Sequence, residues 1–131
     1  MKIEQMNLKE KIGQLFIIGF DGYTYNEHLR KVIEEYKVGN VILFSRNIKS
    51  IEQLSDLNRR IHYEIKLNTH IMPIIAIDQE GGMVTRITSG ATFCPGNMTI
   101  SATKLENSQK IGEIMGEELS RLGINMNLAP S

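Results

Sequence analysis

The chain has 131 residues, with fifteen basic and fifteen acidic side chains and a formal net charge of zero. It has no basic cluster, which argues against nucleic acid as a partner. No apolar run approaches the roughly 18 residues that a membrane span needs, and residues 1–7 lack the apolar core of a signal peptide. We therefore expect a cytoplasmic protein with no membrane partner.

The first third of the chain predicts a helix, a strand and a second helix. Asn7, with a glutamate three positions later, has the signature of a capping box and predicts a short helix that leads into a strand over residues 14–20. Thr24 repeats the signature and predicts a helix that runs to about residue 37. The apolar stripe of this helix consists of Leu29, Val32, Ile33 and Tyr36.

The middle of the chain predicts two further strands, over residues 41–44 and 72–77, with a helix between them. Ser50 is the predicted cap of this helix. Its apolar residues recur at helical spacing and are Ile51, Leu54, Leu57, Ile61 and Ile65. A loop rich in Gly, Thr and Pro is predicted over residues 78–101, and loops of this length in compact domains are usually functional.

The last third predicts one helix and one strand. The helix covers residues 105–122 and ends at Gly123, the residue type that favours the position after a helix. The strand covers residues 124–128. Alternation of strands and helices with no internal break predicts a single α/β domain of parallel βα units over residues 1–131.

The third predicted strand ends abruptly in two carboxylates and a glycine pair. Ligands of parallel sheets bind at the carboxyl ends of the strands, which is where Asp78 and Glu80 lie. Two carboxylates in one cleft suit acid/base chemistry or the binding of a polyol. Gly81 and Gly82 allow a close backbone approach to a ligand, and Arg86 can pair with a carboxylate or donate to a sugar hydroxyl. The spacing alone is equally compatible with a solvated loop that holds an ordinary ion pair.

Five segments carry a family pattern in a fixed order: KIGQLFIIGF (11–20), VGNVILFSRN (38–47), DQEGG with Arg86 (78–82), PGNM (95–98) and LGINMNLAP (122–130). Together they resemble the family 3 glycoside hydrolases, and most closely their bacterial β-N-acetylhexosaminidase branch. The resemblance extends over nearly the whole chain. It implies the first half of a (β/α)₈ TIM-type barrel with about four parallel strands, because a complete barrel takes about 250 residues.

The resemblance also assigns roles to the residues after the third strand. Asp78 is similar to the family's sugar-binding aspartate, and Arg86 to its neighbouring substrate-binding arginine. Glu80, Gly81 and Gly82 are implied to shape the turn, so Asp78 and Glu80 are not the catalytic pair.

The family's catalytic groups have no counterpart in this chain. The family's nucleophile is an aspartate further along, and the acid/base of this branch is an Asp-His pair on a mobile loop preceded by Lys-His-Phe-Pro-Gly-His-Gly. Neither is present in residues 1–131. We therefore predict no catalytic residue here, and the resemblance implies no metal and no organic cofactor.

Two hypotheses about function follow. The first is a truncated relative of the retaining hydrolases that release terminal β-linked N-acetylglucosamine, inactive by itself and binding such a sugar weakly. The second is a non-catalytic α/β module of the same origin that binds sugar or acts as an interaction subunit. In either case we expect a homo-oligomer, because a half-barrel leaves the strands at residues 15–20 and 124–128 as open edges.

The cysteine and the histidines are expected to have no catalytic role. Cys94 is the single cysteine, which allows no internal disulfide, and a small buried hydrophobic role is expected for it. His28, His62 and His70 have no spacing typical of a metal site.

Four other residues near the predicted rim are open to interpretation. The loop after the second strand is read as structural, with the alternative that Arg46 orients Asp78. Asn125 and Asn127 either reach the barrel interior near the site or are solvated on an edge strand. Met83 replaces a second arginine that many relatives carry, and it cannot form the ion pair of an arginine.

Overall fold

The computed structural model describes residues 3–130, so the ends of the predicted domain, residues 1–2 and 131, lie outside the described residues. The strands are β1 (Ile17–Ile18), β2 (Asn40–Leu43), β3 (Ile74–Ile77) and β4 (Met126–Asn127). The helices are α1 (Leu8–Gly13), α2 (Glu27–Glu34), α3 (Ile51–Thr69), α4 (Asn97–Ser101) and α5 (Leu105–Arg121). Short 3₁₀ turns cover Ile3–Gln5 and Ser45–Asn47.

The four strands form one parallel sheet in the order β1-β2-β3-β4. Helices connect successive strands, as parallel pairing requires. This arrangement confirms the predicted α/β fold with four parallel strands.

The hydrophobic core lies between the sheet and its helices. Alternate residues of the central strands, Val41 and Leu43 on β2 and Ile75 and Ile77 on β3, are almost fully buried in it. They pack with the apolar faces of α2, α3 and α5. The helical members of this core include Leu29, Ile33, Leu54, Leu57, Ile61, Ile65 and Leu119. The helical stripes predicted from spacing therefore supply most of the core.

Local hydrogen bonds explain where the helices begin. At α1, the Asn7 side chain accepts from the Glu10 backbone N–H and the Glu10 carboxylate accepts from the Asn7 N–H, which confirms the capping box. The Ser50 side chain caps α3 as predicted. For α2 the prediction was wrong: Asn26, not Thr24, is the cap, because the Asn26 side chain accepts from Leu29 N–H.

Several predicted boundaries are also wrong. Strands β3 and β4 are shorter than predicted, at Ile74–Ile77 and Met126–Asn127. Helix α2 ends at Glu34, and Lys37 then adopts a left-handed backbone with φ 58° that no helix continues. Strand β1 starts only at Ile17, because residues 14 and 15 still bond back to the last turn of α1. The predicted loop over residues 78–101 contains α4 at its end.

No helix in the described part of the chain is both long and apolar enough to cross a membrane.

Candidate active site

The carboxyl end of β3 places an ion pair at the rim of the sheet. Asp78 directly follows β3, and its Oδ2 accepts a hydrogen bond from Arg86 Nη2 at 3.0 Å. Both side chains are partly exposed, 23% for Asp78 and 29% for Arg86. The ion pair is therefore mostly shielded from solvent, and its exposed part is accessible to a ligand.

The segment that carries Arg86 is held by the buried side chain of Gln79. The Gln79 Oε1 accepts from the backbone N–H groups of Arg86 at 2.8 Å and of Ile87 at 3.1 Å. Gln79 is only 4% exposed, so these bonds are shielded from water. The Gln79 side chain therefore holds the backbone of Arg86, which is the ion-pair partner of Asp78.

The backbone of Gln79 is in turn fixed by β4. The Asn127 Oδ1 accepts from the Gln79 N–H, and the Asn127 Nδ2 donates to the Gln79 carbonyl, both at 2.9 Å. Asn125 makes a similar contact one step earlier, with the N–H of Ile75 and the carbonyl of Pro73, both at 2.8 Å. Both asparagines therefore lock β4 to β3. Asn125 is also exposed at the edge of the described sheet, as one of the two interpretations from the sequence expected, whereas Asn127 is half-buried.

The turn after Glu80 is built on two glycines with positive φ, 90° at Gly81 and 56° at Gly82. A Cβ on Gly81 would lie 2.6 Å from the Pro95 carbonyl oxygen, and one on Gly82 would lie 2.9 Å from the Cα of Gly96. Only glycine fits this close approach of two backbone segments. The turn is therefore packed directly against the loop that contains the PGNM segment.

The neighbouring rim loop, after β2, has its own network. Arg46 contacts Asp21 at 2.6 Å and the carbonyl of Phe20 at 3.0 Å, so its partners in the described residues do not include Asp78. Its guanidinium lies 4.5 Å from the centre of the Phe44 ring, and that of Arg86 lies 5.9 Å from the same centre. The aromatic ring therefore links the two rim loops.

Asn47 anchors the β2 loop to the β1 loop. It is fully buried and its Nδ2 donates to the carbonyls of Phe20 and Gly22, both at 3.0 Å, while its Oδ1 accepts from Phe44 N–H. Asn47 and Gln79 both lie within the segments that carry the family pattern, but the sequence did not indicate a role for either. Amide side chains within the first four residues after a buried strand are the signal that could have found them, since Gln79 is the second residue after β3 and Asn47 the fourth after β2.

The Asp78–Arg86 pair leaves hydrogen-bonding atoms that other groups can use. The second oxygen of the Asp78 carboxylate accepts no hydrogen bond from residues 3–130, and the buried Arg86 Nε donates none within them. An acceptor beside a guanidinium suits neighbouring hydroxyls of a sugar. Cys94 is buried as expected, and burial, with the Glu118 carboxylate, raises the pKa of its thiol, which disfavours the reactive thiolate.

Among residues 3–130 there is no group of three or more His, Cys, Asp or Glu side chains placed to hold a metal ion.

Comparisons with known proteins identify the family. Residues 7–131 match the sequence profile described as Glycosyl hydrolase family 3 N terminal domain. Beta-hexosaminidase A of Pseudoalteromonas piscicida is 37% identical over 114 residues, which is 82% of this chain and 19% of that protein. A beta-hexosaminidase of Hydrogenovibrio crunogenus is 33% identical over 94% of this chain and 37% of its own length.

A solved structure agrees with the sequence relatives. The glycoside hydrolase family 3 β-N-acetylglucosaminidase from Paenibacillus sp. str. FPU-7 superposes with a TM-score of 0.91 at 41% identity, over 95% of this chain and 24% of that one. The chain belongs to the N-terminal domain family of the family 3 glycosyl hydrolases. Within that family it falls in the β-N-acetylhexosaminidase branch, and it spans about a fifth to two fifths of the length of these relatives.

Proposed function

We propose that this chain forms the sugar-binding wall of a family 3 glycoside hydrolase that acts on terminal β-linked N-acetylglucosamine. In this role Asp78 accepts hydrogen bonds from ring hydroxyls and Arg86 donates to them. The observation that carries the proposal is the partly exposed Asp78–Arg86 pair at the carboxyl end of β3. Support for the sugar comes from the names of the relatives, which are hexosaminidases and an N-acetylglucosaminidase.

Residues 1–131 by themselves are proposed to bind without hydrolysing. A retaining glycosidase needs a nucleophile and an acid/base carboxyl about 5–5.5 Å apart across the scissile bond. Asp78 forms an ion pair with Arg86, and the Glu80 carboxylate accepts a hydrogen bond from the Asn97 side chain of α4 at 3.4 Å. Their contacts thus favour one binding and one turn-shaping role, as the family resemblance implies.

Binding is proposed to be weak. Sugar sites depend on several polar groups that converge from different walls of a pocket, and the described site offers one wall. We expect a dissociation constant in the millimolar range for N-acetylglucosamine.

Ligand-observed NMR with N-acetylglucosamine tests the site. Weak binding to the unaltered chain, abolished in Arg86→Ala, is the expected result. The matched control is Arg59→Ala, which breaks a chemically similar ion pair with Asp56 on the exposed face of α3 and is expected to leave binding unchanged. Equal binding by the Arg86→Ala variant would refute the proposed sugar contact.

Release of nitrophenol from an aryl β-N-acetylglucosaminide tests the absence of catalysis. We expect no release above background, since removing one positioned catalytic group commonly costs several powers of ten in rate. Turnover by the purified chain that disappears in Asp78→Asn would contradict the absence of catalysis and would overturn the proposal that residues 1–131 only bind.

A second candidate function is a non-catalytic binding or interaction module. The observation that favours it is the exposed apolar surface of β1 and β4, where Ile17 and Met126 are 43% and 38% exposed. Micromolar affinity for the sugar, lost in Arg86→Ala, would favour this candidate over the hydrolase wall.

A further inference from the structure

The guanidinium of Arg86 uses few of its N–H donors. Within residues 3–130 it makes one hydrogen bond, from Nη2 to the Asp78 carboxylate at 3.0 Å. Its Nε is buried and has no hydrogen-bond partner among the described residues. A single hydrogen bond fixes one nitrogen atom but leaves the plane of the guanidinium free to turn about that bond. A second contact is therefore needed to hold this plane in one orientation.

The ring of Phe44 supplies the second contact. The Cζ atom of Arg86 lies 5.9 Å from the centre of this ring. An aromatic face attracts a guanidinium within about 6 Å of its centre. Phe44 directly follows β2 and Asp78 directly follows β3, so the ring and the carboxylate come from the ends of two adjacent strands. Both rim positions therefore contact the same guanidinium.

The backbone of Phe44 is fixed by Asn47. The Asn47 Oδ1 accepts from the Phe44 N–H at 2.9 Å, and the Phe44 carbonyl accepts from the Asn47 N–H at 2.8 Å. Asn47 is fully buried, and its Nδ2 also donates to two carbonyls of the loop after β1. These bonds hold the Phe44 backbone without any contribution from Arg86.

The ring of Phe44 is held by its surroundings on the β1 side of the rim. The Arg46 guanidinium lies 4.5 Å from the ring centre, and it is itself held by Asp21 at 2.6 Å and by the Phe20 carbonyl at 3.0 Å. A Cβ on Gly19 would lie 3.1 Å from Cε2 of the ring and 3.2 Å from Nη2 of Arg46. The absence of a side chain at Gly19 therefore leaves the space that the ring and Arg46 occupy.

We propose that Phe44 is a positioning residue of the sugar site, and that its ring sets the orientation in which the Arg86 guanidinium meets Asp78 and a sugar hydroxyl. The effect on sugar binding rests on the proposed function, whereas the contact between ring and guanidinium does not. Leucine at position 44 keeps an apolar side chain and removes the aromatic face, and tyrosine keeps that face. The role therefore requires the aromatic face and not apolar volume alone.

Nuclear Overhauser effects in the unaltered chain test the contact without any variant. The side-chain signals of Arg86 are assigned as those that disappear in Arg86→Lys. We expect cross-peaks between the ring protons of Phe44 and the Arg86 side chain, and slow exchange of the buried Nε proton with water. The absence of these cross-peaks would overturn the proposal.

Variants at Phe44 test the orientation of the guanidinium. Phe44→Leu should shift the Nε proton signal of Arg86, because the ring current is lost, and should speed its exchange, whereas Phe44→Tyr should preserve both. The matched control is Tyr63→Leu, which removes a ring 5.9 Å from the guanidinium of Arg60 on α3 and should leave the Arg86 signal unchanged. Helical circular dichroism verifies that each variant is folded. An unchanged Arg86 signal in Phe44→Leu would overturn the proposal.

Titration with N-acetylglucosamine, followed by ligand-observed NMR, connects the contact to binding. Phe44→Leu should weaken binding about 2- to 30-fold, the range for loss of one cation–π contact. Phe44→Tyr and Tyr63→Leu should bind like the unaltered chain. Equal affinity in Phe44→Leu would refute the positioning role and leave the proposed function intact. A lack of binding by the unaltered chain would instead refute the proposed function, and with it the role of Phe44 in sugar binding.

Discussion

The central and outer strands of the sheet use similar aliphatic residues in different surroundings. Strands β2 and β3 are four residues long, each has a neighbouring strand on both sides, and their core-facing residues lie beneath the helices, so that Leu43 is fully buried. Strands β1 and β4 are two residues long, and Leu128 beside β4 is 42% exposed. Burial, and not residue type, therefore distinguishes the central strands from the outer ones, and we expect it to decide how much each strand residue contributes to stability.

Truncation of one leucine in each region gives the largest expected contrast. Leu43→Ala should lower the free energy of unfolding by about 2–5 kcal/mol, because it opens a cavity in the core. Leu128→Ala should cost well under half of that, since this side chain is already partly in water. Urea unfolding at one fixed protein concentration measures both values, which matters because association would stabilise the folded chain. Equal losses would show that the outer strand is as well buried as the central one.

The next contrast compares two glycines, one at the rim and one on the open surface of α5. Gly81→Ala should cost about 1–3 kcal/mol for the positive φ alone, with a further cost from the clash with Pro95. Gly112→Ala has nothing within 4 Å of its new Cβ and should stabilise the helix by about 0.5–1 kcal/mol.

Thermal or urea unfolding gives the sign of each change in this glycine pair. A neutral Gly81→Ala variant would mean that the turn can separate from the loop around Pro95, and the rim would then be less rigid than its contacts indicate.

The third contrast concerns the amide of Gln79, which holds the rim together. Gln79→Leu leaves the backbone N–H groups of Arg86 and Ile87 without their acceptor and should cost about 1–3 kcal/mol. Gln79→Glu keeps an acceptor at the same position and should recover part of the loss. The local readout is the hydrogen exchange of these two amides, which should become faster in Gln79→Leu and remain slow at the β2 amides. Unchanged exchange would contradict the role of Gln79 as the tether of Arg86.

Much of the fold was predictable because its signals are local. The capping box at Asn7, the cap at Ser50 and the positive φ of Gly123 depend on residues a few positions apart, and the structure confirms them. The apolar stripes also identified most of the core. The prediction failed for the cap of α2, because Asn26 is the cap in place of Thr24. It also failed for the length of β1, because residues 14 and 15 still bond to the last turn of α1.

The position of the site was predictable from the sequence, whereas the hydrogen bonds that hold it in place were only partly predictable. The change from an apolar run to Asp78 marked the end of β3, and the later Arg86 was found as its partner. The roles of Gln79, Asn47 and Asn127 were not found from the sequence. Their amides bond to segments that come together only when the loops and strands of the rim have assembled.

The sequence by itself determined the order of strands and helices, the family, and the edge of the sheet at which polar side chains collect. These properties follow from hydrophobic periodicity, capping residues and the chemistry of short segments. Only the tertiary structure decided that β4 fixes the rim, since Asn127 and Gln79 are 48 positions apart in the chain. It also decided which face of the sheet the helices leave open, because strand register and not residue type determines which side chains share that face.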